Sequence, residues 1–204
     1  MIEMFWQCML CIMIGYIFGM SNMAFYLSKI KKVDLRSGGS GNLGASNATM
    51  MLGKGAGVVT FIHDTIKVVI AAFLCAWLFQ DVAYAQLLAA VAGIVGHMFP
   101  VYLKFRGGKG FASFIGMAFV LDWKFGLLML LGVVIVSFVV DWVVAGTFFH
   151  IVVTPLHCLF AYDAITAGIV AVASVCIFLK HIENIKRMRA GTESRLRSVI
   201  FKKK

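Results

Sequence analysis

Long apolar runs separated by short polar turns extend from the start of the chain to about residue 179. A helix that crosses the hydrocarbon core of a bilayer needs about 20 predominantly apolar residues. Six of the runs approach or reach that length, whereas the fourth is too short to cross the full core alone. The pattern therefore predicts seven helical elements, which are Met4–Tyr26, Gly55–Phe79, Ala83–Leu103, Phe111–Leu121, Phe125–Val140, Trp142–Phe160 and Ala164–Leu179.

The composition indicates a membrane protein and excludes an ordinary soluble domain. Hydrophobic residues make up 61% of the 204 residues and charged residues only 14%, whereas a soluble domain is closer to half apolar and a quarter charged. A chain of this length has no soluble core that could hold the excess. We therefore predict an all-α, polytopic membrane protein that forms one domain over residues 1–204.

The formal net charge of +10 is concentrated in a few segments. Of the 19 Lys and Arg residues, 17 lie within residues 28–54, 104–109 and 180–204. Positive residues in short loops mark the cytoplasmic side of a membrane protein. Seven crossings then place the N-terminus outside and the basic C-terminus in the cytoplasm. The Lys202–Lys204 end is more typical of attraction to anionic lipid than of nucleic-acid binding, so we predict membrane lipid and no nucleic acid as a partner.

The first polar segment, Asp34–Asn47, is rich in glycine, serine and asparagine. Its glycine spacing matches the dinucleotide fingerprint, but that motif needs a preceding strand within a βαβ unit. Here it follows a membrane helix. The backbone N–H groups of such a loop, with the side chains of Ser40, Asn42 and Asn47, can bind an anion. A flexible connector is the alternative interpretation.

The second polar segment, Gly96–Ser113, contains Gly107-Gly108-Lys109-Gly110, which opens directly into the short apolar run. Glycine lets the backbone approach a phosphate closely, and a helix N-terminus and a lysine add positive potential. The loop is not a Walker A motif, because Gly110 stands where Ser or Thr is required. An interfacial basic turn is the alternative. The nearby His97 is interpreted equally well as a structural or as a catalytic histidine.

The third polar segment follows the last apolar run. If that helix continues past the membrane, His181 and Asn184 lie one turn apart on the same face, and a histidine at this boundary can exchange protons. An ordinary charged helix end is the alternative. Inside the second run, Asp64 and Lys67 stand three residues apart. Ionisable residues are costly inside a membrane, so we predict that these two neutralise each other in a structural role.

Together, the three segments resemble the bacterial acyl-phosphate:glycerol-3-phosphate acyltransferases of the PlsY type. The resemblance covers essentially the whole chain, and it rests on three motifs in a fixed order on a seven-span protein. The motifs are Gly39-Ser-Gly-Asn-Leu-Gly-Ala-Ser-Asn47, then Gly96-His-Met-Phe-Pro100 with Gly107-Gly-Lys-Gly110, then His181-x-x-Asn184 with Arg187, Gly191 and Glu193.

The resemblance implies transfer of a fatty acyl group from acyl phosphate to the 1-hydroxyl of glycerol 3-phosphate. The products are lysophosphatidic acid and inorganic phosphate, with no cofactor and no metal. By position, His181, Asn184 and Ser40 would be catalytic and Glu193 structural. The substrate-binding residues would be Asn42, Asn47, Lys104, Gly107, Gly108, Lys109, Gly110 and Arg187. We expect a monomer in the bacterial cell membrane, with its active site on the cytoplasmic side.

The chemistry of this reaction suits the polar segments. An acyl phosphate is already activated, so no covalent nucleophile is needed. The protein must hold two anions side by side, stabilise the developing oxyanion and let the attacking hydroxyl lose its proton. Either His181 or a substrate phosphate can take that proton, and the sequence leaves both open.

Two positions depart from the family pattern. Met50 stands where the family has an arginine that pairs with a phosphate, for which Lys54 or Arg36 would have to compensate. Asp141 stands where an arginine is usual, which reverses a charge near an anion site. The alternative function is a catalytically altered or inactive membrane paralogue that binds acyl phosphate or lipid, or that uses another acceptor. Transport is disfavoured, because the polar residues cluster on one side only.

Overall fold

The computed structural model describes residues 2–201, and the Lys202–Lys204 end lies outside the described residues. Over this range the protein is built of α-helices and contains no strand. The helices are α1 Ile2–Met20, α2 Met23–Lys31, α3 Ala45–Leu52, α4 Lys54–Leu78, α5 Ala85–Met98, α6 Phe111–Leu121, α7 Trp123–Val140, α8 Val143–Ala161, α9 Ala164–Lys180, α10 Ile182–Arg189 and α11 Leu196–Ile200. A 3₁₀ turn occupies Val101–Leu103.

Five stretches among the described residues are long and apolar enough to cross a membrane, and the bent pair α9 and α10 makes a sixth if it is one span. The fourth predicted run is the short helix α6, with the bounds that the sequence pattern predicts. The chain is therefore an all-helical, multi-pass membrane protein. The seventh crossing and the orientation of the termini stay predictions.

Two of the predicted runs are interrupted in the structure. The first is broken after Met20, because the side chain of Asn22 caps α2 by accepting a hydrogen bond from the N–H of Phe25 at 2.8 Å. The third ends as an α-helix at Met98, because Pro100 disfavours the helical conformation in the residue before it. Both breaks therefore lie inside apolar stretches that hydropathy alone predicts to be continuous.

The chain packs into two compact units, of which the first ends at Gly126. In this N-terminal unit, α1 packs on α5, and α4 packs on both α5 and α6. The α1–α5 contact is a backbone contact, because a Cβ atom at Gly15 or Gly19 would collide with the backbone of Ala89 or Gly93. Small residues allow this close approach of membrane helices.

The C-terminal unit begins at Leu127, within α7, and contains the rest of that helix and the helices that follow it. Within it, α8 packs on α9. Gly146 of α8 lies against Ser137 and Val133 of α7, where a side chain would not fit. The buried side chains of α8 include polar ones, among them Thr147, His150 and Thr154.

Candidate active site

The glycine-rich loop of the first motif is closed around the side chain of Asn47, which is fully buried at the start of α3. The Asn47 Oδ1 atom accepts a hydrogen bond from the N–H of Ser40 at 2.8 Å. Its Nδ2 atom donates to the carbonyl oxygens of Leu35 at 2.7 Å and Gly38 at 3.3 Å. Gly39 has a φ of +58° and lies so close to Asn47 Oδ1 that no Cβ would fit. Asn47 therefore shapes the loop from within.

The loop carries the other two predicted residues of the motif at half-buried positions. Ser40 lies at the loop's turn, and the side chain of Asn42 lies against Gly44. A residue that the sequence analysis did not single out also holds this loop, because Asn22 Nδ2 donates to the carbonyl oxygen of Leu43 at 3.2 Å. The only sequence signal for Asn22 is an amide inside an otherwise apolar run.

The Gly107–Gly110 loop folds back on the end of α5. The N–H of Gly107 donates to the carbonyl oxygen of Met98, and the N–H of Gly108 to that of His97, both at 3.1 Å. A Cβ at Gly108 would collide with the His97 ring and lie 2.8 Å from the carbonyl oxygen of Leu43. Gly110 has a φ of +85° and begins α6. Lys109 is half-buried between these glycines, and Lys104 is exposed on the preceding turn.

The two glycine-rich loops are adjacent in the N-terminal unit. Leu43, at the end of the first loop, is the neighbour of Gly108 in the second. A second link is formed by Arg36, whose Nη2 atom donates to the carbonyl oxygen of Arg106 at 2.8 Å. The structure therefore brings together the two segments that the sequence predicts to bind anions, although more than 60 residues separate Leu43 and Gly108 in the chain.

The predicted ion pair is present beneath these loops. Lys67 Nζ lies 2.9 Å from Asp64 Oδ1, and the two side chains are 5% and 1% exposed. The pair belongs to a larger cluster, because Lys67 also contacts His97 Nδ1 at 2.8 Å and His63 Nδ1 lies 3.1 Å from Asp64 Oδ1. The sequence predicted the pair but not its link to His97.

The third motif lies in the C-terminal unit, where the helix does not continue straight. The helices α9 and α10 are bent by 43° relative to each other at His181, so the condition of one straight helix is not met. The His181 side chain is buried, and its Nδ1 atom lies 2.8 Å from the carbonyl oxygen of Ile177. A carbonyl only accepts, so Nδ1 carries the proton and Nε2 is the basic nitrogen of the ring.

Glu193 connects the other members of this motif. Its Oε1 atom accepts a hydrogen bond from Asn184 Nδ2, and its Oε2 atom from Arg187 Nε, both at 2.7 Å. The turn that brings Glu193 back uses Gly191, whose φ is +70°. Arg187 Nη2 is buried and, among the described residues, has no hydrogen-bond partner. Glu193 thus orients both Asn184 and Arg187.

Comparison with known proteins identifies the family. The sequence model of the family described as "Glycerol-3-phosphate acyltransferase" matches residues 9–191. The chain belongs to this family. Among its relatives, the glycerol-3-phosphate acyltransferase of Rhodopseudomonas palustris strain HaA2 is 36% identical over 186 residues, which are 91% of this chain and 93% of the relative. That of Endomicrobium trichonymphae is 36% identical over 198 residues, 96% of this chain and 98% of the relative.

Two solved structures of PlsY (YgiH), an integral membrane glycerol 3-phosphate acyltransferase, have the same fold. The glycerol 3-phosphate form is 29% identical and superposes with a TM-score of 0.89 over 97% of this chain and 99% of PlsY. The lysophosphatidic acid form is 28% identical, with a TM-score of 0.84 over 95% of this chain and 98% of PlsY.

The structure places both residues that depart from the family pattern. Met50 is half-buried in α3, and Arg36, one candidate to compensate for it, donates to Arg106. Asp141 lies in the turn between α7 and α8, where its carboxylate accepts the N–H of Arg197 at 2.8 Å. Its carbonyl oxygen accepts the N–H of Leu196 at 2.9 Å. The acidic residue therefore holds the start of α11.

Proposed function

We propose that this member of the glycerol-3-phosphate acyltransferase family transfers a fatty acyl group from acyl phosphate to the 1-hydroxyl of glycerol 3-phosphate. Membership of the family and the likeness to PlsY support the acceptor. The observation that carries the proposal is the adjacency of the two glycine-rich loops in one compact unit. The reaction requires two phosphate-bearing substrates next to each other, and each loop is suited to one of them.

The loops have distinct proposed roles. Ser40 and Asn42, on the loop that Asn47 closes, would bind glycerol 3-phosphate. Lys109 and the backbone N–H groups beside it would bind the acyl phosphate, with Lys104 as a further positive charge. Asn47 would contribute by keeping the loop in shape, since both ends of its amide are bonded to the loop backbone.

We assign the proton-transfer chemistry to the third motif. The hydroxyl oxygen attacks the acyl carbon, the bond between that carbon and the phosphate oxygen breaks, and inorganic phosphate leaves. The hydroxyl proton goes to His181 Nε2 or to a substrate phosphate. The Nδ1–H contact to Ile177 fixes the tautomer that a general base needs. Asn184 and Arg187 would contact the reacting groups, and Glu193 would hold both in place.

The proposal includes the setting of the reaction. The chain would lie in the bacterial cell membrane as a monomer, with its active site on the cytoplasmic side, because the Lys and Arg residues concentrate in the segments around the three motifs. The acyl chain of the donor would lie among apolar side chains that face lipid. No cofactor or metal is needed for attack on an activated acyl group.

The test uses purified protein in detergent with palmitoyl phosphate and follows phosphate release with and without glycerol 3-phosphate. We expect release that requires glycerol 3-phosphate and is lost in His181→Ala. Met50 favours a second candidate, an enzyme with another acceptor, because methionine cannot pair with a phosphate. Release that occurs only with a different hydroxylated acceptor would establish that alternative. If no acceptor supports release, the chain is an inactive, lipid-binding paralogue.

A further inference from the structure

Lys67 makes three polar contacts, as many as it has N–H bonds. Its Nζ atom donates to Asp64 Oδ1 at 2.9 Å and to the backbone carbonyl oxygen of Ser21. Its third partner is His97 Nδ1, at 2.8 Å. A lysine ammonium group has three donors and no acceptor. Because the carboxylate and the carbonyl can only accept, the protonated lysine presents its third hydrogen to the imidazole.

This contact decides the tautomer of His97. A ring nitrogen that accepts a hydrogen bond carries no proton, so the neutral ring has its proton on Nε2. The nearby carboxylate does not change this assignment, because Asp64 Oδ1 is 3.7 Å from His97 Nδ1 and beyond hydrogen-bond distance. Lys67 therefore selects the neutral tautomer of His97 in which the Nε2–H group is the ring's hydrogen-bond donor.

The Nε2 atom of His97 lies against the second glycine-rich loop. It is the atom nearest to where a Cβ would stand at Gly108. The carbonyl oxygen of the same histidine accepts the N–H of Gly108 at 3.1 Å. His97 is 3% exposed. One residue thus contacts the loop through both its backbone and its ring.

The cluster also holds the far end of that loop. Ser113 Oγ, in the first turn of α6 just after Gly110, donates to the backbone carbonyl oxygen of Asp64 at 3.0 Å. At the next residue of α4, Thr65 Oγ1 donates to the carbonyl oxygen of Ala112 at 3.1 Å. The segment before the loop and the helix after it are therefore bound to the same stretch of α4.

We propose that Lys67 is a positioning residue for the Gly107–Gly110 loop, acting through the tautomer of His97. An ion pair with Lys67 is enough to neutralise Asp64, so the additional contact of Lys67 with His97 is not needed for charge compensation. This inference rests on the proposed function, because it takes the loop to bind the acyl phosphate. The expected consequence is a specific one: the KM for acyl phosphate depends on a hydrogen donor at the position of His97 Nε2.

Two substitutions of His97 separate this role from simple packing. In His97→Gln the side-chain nitrogen can take the place of Nε2 and still donate. In His97→Asn the oxygen can take the place of Nδ1, accept from Lys67 and leave no donor at the loop. We expect His97→Asn to raise the KM for acyl phosphate about five-fold, the value of one net hydrogen-bond donor removed from the loop, while His97→Gln keeps it near the wild-type value. His157→Asn, in the C-terminal unit, is the matched control.

The action of Lys67 on His97 is tested by the double variant Asp64→Asn/Lys67→Met. It removes both charges together and leaves no uncompensated charge in the interior. We expect the same selective rise in the KM for acyl phosphate as in His97→Asn, with the KM for glycerol 3-phosphate changed much less. Equal kinetic losses for His97→Asn and His97→Gln, or a wild-type KM for acyl phosphate in His97→Asn, would overturn the proposal.

A measurement on the unaltered protein decides the matter even if the variants do not fold. Nitrogen-15 NMR of histidine-labelled protein in detergent reports which ring nitrogen carries the proton. We expect a neutral His97 ring protonated at Nε2, and a ring protonated at Nδ1 or at both nitrogens contradicts the proposal. Failure of the proposed function itself gives a different result, since the wild-type protein would then release no phosphate in the presence of glycerol 3-phosphate.

Discussion

The carboxylate of Asp141 accepts the backbone N–H of Arg197 at 2.8 Å, and this bond attaches the last described helix to the turn between α7 and α8. The link is reinforced by the Arg197 guanidinium, which donates to the carbonyl oxygen of Phe138 at 3.1 Å. The neighbouring Arg195 guanidinium lies 4.4 Å from the centre of the Trp142 ring. An acidic residue that departs from the family pattern therefore has a structural explanation within its own unit.

The first prediction concerns this attachment. Asp141→Ala removes the acceptor and also strains the backbone, because Asp141 has a φ of +62°, where a residue other than Gly, Asn or Asp is disfavoured. We expect the free energy of detaching α11 to fall by about 1 kcal/mol, so that the population with α11 detached rises by a factor of about five. Trypsin cleavage after Arg195 and Arg197 in the folded protein measures this. Asp141→Asn keeps an acceptor and tolerates the same φ, so unchanged cleavage of Asp141→Ala relative to Asp141→Asn would contradict the prediction.

The second prediction concerns the acid that orients the third motif. Glu193→Ala removes the shared partner of Asn184 and Arg187, and the loss of charge-assisted hydrogen bonds costs about 2 kcal/mol. We expect a lower thermal midpoint in detergent together with a lower kcat. Glu193→Gln retains an acceptor for Asn184 and should lose less of both. Substitution of the exposed Glu183 by Ala serves as the control, and an equal effect there would show that Glu193 acts only through net charge.

The third prediction concerns Asn47, whose buried amide holds the glycine-rich loop. Asn47→Ala removes three hydrogen bonds to the backbone of the glycine-rich loop. We expect the KM for glycerol 3-phosphate to rise at least about ten-fold, since one net hydrogen bond is worth about 1 kcal/mol and several are lost. Ser46→Ala, at an exposed position on the same helix, should leave it unchanged. A rise in this KM for Ser46→Ala as large as that for Asn47→Ala would contradict the prediction.

The fourth prediction concerns Gly108, where there is no space for a side chain. Gly108→Ala would press a methyl group against the His97 ring and the carbonyl oxygen of Leu43. Overpacking of this kind costs about 1–3 kcal/mol, and we expect it to appear as a raised KM for acyl phosphate. Gly168→Ala in α9 is the matched control, because nothing lies within 4 Å of its added Cβ. That variant should be as active as wild-type and at least as stable.

The fifth prediction concerns pH. The carboxylate of Asp163 caps α9, and the hydrogen bonds from the backbone and side chain of Thr166 hold its pKa below the ordinary value. A lowered pKa in the folded state means that the cap stabilises above the ordinary carboxyl pKa of about 4, and that this contribution is lost as the pH falls through the lowered pKa. We expect Asp163→Asn to remove this part of the acid sensitivity, measured as the thermal midpoint in detergent between neutral and acid pH. An identical acid profile in both proteins would contradict this.

The hydropathy pattern along the chain is enough to predict the helices and their location in a membrane. Each apolar run is a local property, since a run long enough to span the hydrocarbon core must satisfy its own backbone as a helix. All seven runs are helical over most of their length, although the first and the third are interrupted, and α6 has the predicted bounds. The motifs that identify the family are equally local, so their residues could be named before any contact was known.

Which of these residues contact one another depends on how the helices pack. The adjacency of Leu43 and Gly108, the burial of the Asn47 amide inside its loop and the contact between Lys67 and His97 join segments that are distant in the chain. The same holds for the carboxylate of Asp141 at α11. A hydrogen bond forms only where packing brings donor and acceptor within about 3 Å with suitable geometry. That condition depends on how the helices pack on one another, and hydropathy along the chain carries no information about it.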